Sequence, residues 1–248
     1  MRSRELIFMR LLAFASTVLF AVVAARLIGE DRRYALLVAV LAASAAVPAW
    51  LARRRTRRVL LSGDVGRVLG SWSGSMERVA YPETMAPLMA ATAYAAYGFM
   101  DAARNALEGA RKGPVWDAAI EQRLFVSTLL DVYEGARDDA LTKAAELEEL
   151  PLPDAGFWMR RKVERLRSGV AAIARAFAHQ SREGDLALLE RAAKASPLVH
   201  WATRYAIAII RVDAGDRETA RDLIAEAPAW PEESAFHAFH QELLAAAS

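Results

Sequence analysis

The apolar positions of this chain change their rhythm partway along. From Leu11 to Ala25, and again from Tyr34 to Ala52, they run without a charged residue. From Thr84 onward they recur at three- and four-residue steps, broken by glycine and proline, with no strand-like alternation. The first rhythm predicts helices buried all round, the second helices with one apolar face. Letting Arg10 and Arg26 reach outward to headgroups extends the first run to about 6–28. That length covers a hydrocarbon core of about 30 Å. The second run, 34–52, carries Pro48 and ends beside Trp50, where an interfacial aromatic belongs. Only Gly29–Arg33 separates them, so the two spans are expected to be antiparallel, a transmembrane hairpin within residues 1–58. No Ala-x-Ala-like site closes the first run and a second follows at once, which reads as an anchor rather than a cleaved leader.

Residues 59–83 form a juxtamembrane bridge. Leu61, Val65, Val68, Leu69, Trp72, Met76 and Val79 gather on one helical face, with Gly66, Gly70 and Gly74 opposite. An amphipathic helix and a flexible linker are both compatible with this, because each interior glycine costs about 1 kcal/mol of helix propensity. Beyond it, helices are expected over 85–97, 101–112, 116–134, 138–150, 157–182, 184–196, 198–213 and 218–227, with a last one after Pro231.

The breaks repeat. Gly98 is followed at plus five, nine and twelve by Ala103, Leu107 and Ala110; Gly135 by Ala140, Ala144 and Leu147; Gly215 by Ala220, Ile224 and Ala227. A small residue belongs just after the turn, where two helices of a hairpin approach most closely. This pattern resembles the tetratricopeptide repeat, most clearly in Gly215-Asp216-Arg217-Glu218-Thr219-Ala220, over roughly residues 84–231. It departs from the family in its spacing, and at Gly184 the plus-five residue is Leu189. The expected fold class is therefore all-α: a transmembrane hairpin followed, over 84–248, by a solenoid of helical hairpins. In tetratricopeptide proteins the first helices line a concave groove that holds a partner. The resemblance puts Phe125, Leu129, Tyr133, Tyr205 and Ile209 near that groove, although residues of these types more often belong to the core.

Charge sharpens the picture. The net +2 divides into +8 up to Arg58 and −6 from Val59 onward. Net positive charge confined to the head argues against a nucleic-acid-binding body and for a head that meets a membrane. Arg53, Arg54, Arg55, Arg57 and Arg58 follow the second run and read as a stop-transfer and lipid-headgroup anchor. With Arg2 and Arg4 they place both termini in the cytoplasm, since the connecting loop holds only Arg32 and Arg33 beside two acids. The bias of 28 Arg to 4 Lys suits a bacterial inner membrane.

Candidate chemistry is sparse. There is no cysteine, and neither a phosphate-binding loop nor a nucleophile elbow survives inspection, because Trp72 stands where Gly70–Gly74 would need a serine. His237 and His240 lie one helical turn apart near Glu233, an incomplete ligand set. The run Arg160–Arg167 spreads its charges round the helix and reads as solvated; the alternative, beside Phe157 and Trp158, is contact with lipid or an acidic partner. No catalytic residue, cofactor or metal is expected. The reading that follows is a non-enzymatic, membrane-tethered scaffold with lipid and protein partners. Its rivals are a subunit of a membrane enzyme or transport complex, and the same domain facing the periplasm.

Overall fold

A computed structural model describes Arg26 and residues 33–246, with only the backbone described at 33–38, 41, 42, 45 and 49. The chain divides into two units, Met1–Arg55 and Thr56–Ser248. Every regular element among the described residues is helical.

Helix α1, Arg33–Leu61, starts in the first unit and ends in the second. Among the described residues no helix is long and apolar enough to cross a membrane. The run 6–28 lies outside the described residues but for Arg26. Arg53, Arg54, Arg55, Arg57 and Arg58 are all exposed, and the Arg54 guanidinium stands 5.1 Å from the centre of the Trp50 ring.

The second unit opens with the end of α1. Its last carbonyls have no partner within the helix. Three side chains supply them: the Ser62 hydroxyl donates to Val59 (2.7 Å), the Tyr97 hydroxyl to Leu60 (2.5 Å) and the Trp201 indole N–H to Leu61 (3.1 Å). Of the bridge, Val65–Met76 is helix α2, capped by the Asp64 carboxylate on the Arg67 amide and burying Val68. The glycine-bearing face is the outer one: a Cβ at Gly70 would meet nothing within 4 Å.

Four helical hairpins follow. They are α3 (Pro82–Ala96) with α4 (Met100–Glu108), and α6 (Ile120–Glu134) with α7 (Arg137–Glu149). Next come α8 (Phe157–Phe177) with α9 (Asp185–Ala195), and α10 (His200–Asp213) with α11 (Arg217–Ala225). The short α5 (Pro114–Ala118) precedes α6, and α12 (Ala235–Ala246) ends the described chain. First helices pack in succession, α3 on α6, α6 on α8 and α8 on α10, while α7 and α9 also lie against the next first helix.

The small residues make this packing possible. Ala103, Ala140 and Ala220 are all buried at the hairpin contacts where the turn-plus-five pattern puts them. Gly98, Gly135 and Gly215 hold left-handed φ of 77°, 76° and 81°, and after each the next amide donates back five residues, as in Ala136 to Asp131 (2.9 Å). The α8–α9 hairpin differs. Here His179 takes the left-handed position (φ 56°) and the Gln180 amide closes onto Arg175 at 2.8 Å, so α8 stops at Phe177 rather than at the expected 182. Gly184 instead precedes α9, which is why Leu189 breaks the alanine pattern. Close approach is displaced to Gly169, where a Cβ would lie 2.1 Å from that of Ala192. The expected single helix 116–134 is also divided, because Ala119 leaves helical geometry (φ −86°, ψ 25°) to end α5 and begin α6.

Candidate partner groove

The five residues expected near a groove are not an open surface. Phe125, Leu129, Tyr133 and Tyr205 are buried and Ile209 is half-buried. For Tyr133 and Tyr205 the reason lies in α12, whose aromatic face covers them. Phe236 stacks on Tyr205 (ring centres 4.9 Å, planes 15° apart) and meets Tyr133 edge-on at 5.3 Å. Phe239 reaches Tyr133 and Phe177 at 5.9 and 5.1 Å. The entry into α12 is fixed by the Ser234 hydroxyl, which donates to the Tyr97 carbonyl (2.7 Å), and by the Ala235 amide, which donates to Gly98 (2.9 Å). Burial pushes the Tyr97, Tyr133 and Tyr205 phenols up, so all three are neutral; the Tyr97 and Tyr205 hydroxyls are hydrogen-bonded, whereas the buried Tyr133 hydroxyl has no partner among the described residues.

The two C-terminal histidines serve this docking. The Trp230 indole donates to the Tyr205 hydroxyl at 2.8 Å, which leaves that hydroxyl to donate to His240 Nδ1 at 3.1 Å. His240 therefore accepts through Nδ1 as a neutral ring, and burial, with His237 nearby, holds its pKa down. His237 Nδ1 faces the Trp230 carbonyl at 3.0 Å and must donate to it, leaving Nε2 to accept from Gln241 at 2.9 Å. Among the described residues no group of three or more His, Asp or Glu side chains converges on one point.

Elsewhere along the first helices a cavity of about 490 Å³ stays open. Its walls are apolar: Met85 from α3, Val115 from α5, Phe125 from α6, Leu147 from α7, Leu166 from α8, and Leu198. Phe125 is thus the one sequence-predicted groove residue that lines it. Two polar pairs border the space. Gln122 Nε2 donates to the Thr92 hydroxyl at 2.9 Å. Arg167, only 4 % exposed, pairs with Glu121 through Nε (3.2 Å) and Nη2 (3.0 Å), and also donates to the carbonyls of Leu150 and Pro151 beyond α7. The expectation of a wholly solvated 160–167 run is corrected at this residue. Arg167 falls on the inner face of α8 because it lies three residues, about one turn, before the buried Val170. The borders are internally neutralised, so the cavity suits an apolar group rather than a free charge. Neither Thr92 nor Gln122 stands out in the sequence as a signal of this site, because their pairing is non-local.

Compared with known protein families, characterised proteins and solved structures, the chain matches none.

One ionisable group here sets a pH response. His200, packed edge-on against Trp201 at 4.9 Å, has its pKa pushed down from 6.5 to about 4 by burial and then by Arg204 and Arg57. The folded ring is neutral where the unfolded one begins to charge, so the stability it supports is complete above about pH 6.5 and lost as pH falls toward 4. Discounted for its partial exposure, this is on the order of 2 kcal/mol. Denaturant melts at pH 7 and 4.5 are expected to lie closer together in His200→Gln than in the wild type.

Proposed function

We propose that the protein is a membrane-tethered, non-catalytic adaptor. In this reading residues 1–58 form a two-span hairpin in a bacterial inner membrane, both termini are cytoplasmic, and the second unit is a tetratricopeptide-like stack that binds another protein. Several features support it. The uncharged runs and the arginine bias are those of an inserted hairpin. First helices that pack in succession, with small residues after left-handed turns, are what a stack of hairpins requires. The observation that carries the binding function is the apolar cavity of about 490 Å³ opening on the first helices. A partner would place a large apolar side chain there, the kind of buried anchor that dominates interface energetics.

Ala118 is exposed on the border of this cavity, so a larger side chain there obstructs entry without entering the core. Ala118→Trp in the full chain, extracted from membranes with its lipids, is expected to lose at least tenfold in capture of the wild-type partner, by the loss of one anchor worth about 1.4 kcal/mol or more, at an unchanged melting temperature. Undiminished capture would reject the cavity as the binding site. Reporters inserted at Glu30 and fused after Ser248 are expected outside and inside the cell respectively, and a C-terminus accessible from outside would reject the orientation.

A further inference from the structure

We propose that the start of α8 is a docking surface for anionic lipid. Phe157, Trp158 and Met159 form its first turn and are 64 %, 81 % and 53 % exposed, and Leu152 on the preceding loop is exposed too. Trp158 is the most exposed of the large hydrophobic side chains described, and its ring meets that of Phe157 edge-on at 5.6 Å. Leaving such rings in water forgoes the burial that aromatic side chains supply elsewhere in this fold.

The charges around them say what covers them. Arg160, Arg161, Lys162 and Arg165 are all exposed, and Arg161 lies 5.7 Å from the centre of the Phe157 ring. Between Pro151 and Arg165 only Asp154 and Glu164 oppose them, so this stretch is net +2 on a body that is net −6 from Val59 onward. An anionic surface would attract this end of α8 and repel the remainder of the domain, which orients the approach. A protein partner burying the rings would have to desolvate the surrounding cations, which costs several kcal/mol unless each is paired. A bilayer makes no such demand: rings enter at headgroup depth while Arg and Lys stay level with the phosphates. Both chemistries sit within about two and a half turns of a single helix, as an interfacial anchor requires.

This docking does not depend on the transmembrane hairpin, and the test separates them. Because the chain has no cysteine, Met159→Cys gives a single site for an environment-sensitive fluorophore in the full-length protein. Asp139→Cys, on the exposed face of α7, is the reference. Both are reconstituted with phosphatidylcholine vesicles, with and without phosphatidylglycerol, carrying a nitroxide quencher on the acyl chain. The label at 159 is expected to shift to the blue and be quenched several-fold more than that at 139 in anionic vesicles only. Arg160→Glu/Arg161→Glu/Lys162→Glu is expected to weaken this at least about 100-fold, at roughly fivefold per cation lost. A label at 159 that stays in water on anionic vesicles overturns the proposal, and so does equal protection without anionic lipid, which would signal contact with another copy or with a protein. Retention of the protein on vesicles through alkaline carbonate reports on the hairpin alone.

Discussion

Asp185→Asn will lower the stability of the helical domain by about 3–5 kcal/mol, the cost of leaving one member of a buried ion pair alone. Asp185 is buried at the first turn of α9 and Arg175 comes from the last turns of α8, joined by two parallel contacts, Nε to Oδ2 at 3.0 Å and Nη2 to Oδ1 at 2.6 Å. The Arg182 amide donates to the same carboxylate at 2.9 Å. Burial alone would push this carboxyl up, but the Arg175 hydrogen bonds, the Arg182 amide and their charges outweigh it and hold its pKa below 3.8. A depressed carboxyl stabilises the fold above its unfolded pKa and ceases to do so as pH falls below about 4. The wild type should therefore lose stability below pH 4 through this site, and Asp185→Asn should show a shallower acid slope from a lower starting point. Arg175→Met/Asp185→Leu, which removes both charges together, is expected to recover most of the loss in a urea melt. A single variant within about 1 kcal/mol of wild type would show that the pair is dispensable to the α8–α9 hairpin.

Phe236→Ala is expected to cost a similar amount, about 3–5 kcal/mol, because it empties the point where α12 meets the first helices. Phe236 is fully buried and its ring touches those of Tyr133, Tyr205 and Trp230, so its removal deprives residues from α6, α10 and the loop before α12 of a common partner. Near-ultraviolet dichroism should weaken, and amides of α12 should exchange at a rate set by local rather than global opening. A melt unchanged within about 1 kcal/mol would mean that α12 is not part of the cooperative core.

What was legible in the sequence follows what each signal measures. Helix periodicity and turn chemistry are local, and they located the hairpins, the left-handed glycines and the alanines at 103, 140 and 220. The α8–α9 hairpin escaped because His179 performs a glycine's task and Gly169 an alanine's, on the helix opposite the one the repeat pattern names. Non-local facts were not written in any window. Tyr133 and Tyr205 read as groove aromatics or, more readily, as core, and what decides between them is α12, folding back from over thirty residues away in sequence. Arg167 read as solvated because its partners, Glu121 and the carbonyls of Leu150 and Pro151, belong to other elements. The cavity was invisible for the same reason, its walls being drawn from α3, α5, α6, α7 and α8 together.

The adaptor account rests on the cavity face meeting a protein in the intact cell, and a single-site crosslink tests that most directly. With no native cysteine to compete, Ala118→Cys carrying a short photocrosslinker reports from the cavity border, and Asp139→Cys reports from the outer face of α7. The account predicts a discrete protein adduct from position 118 and none of the same mass from 139. Adducts that are identical from both positions, or lipid adducts alone from 118, would contradict it.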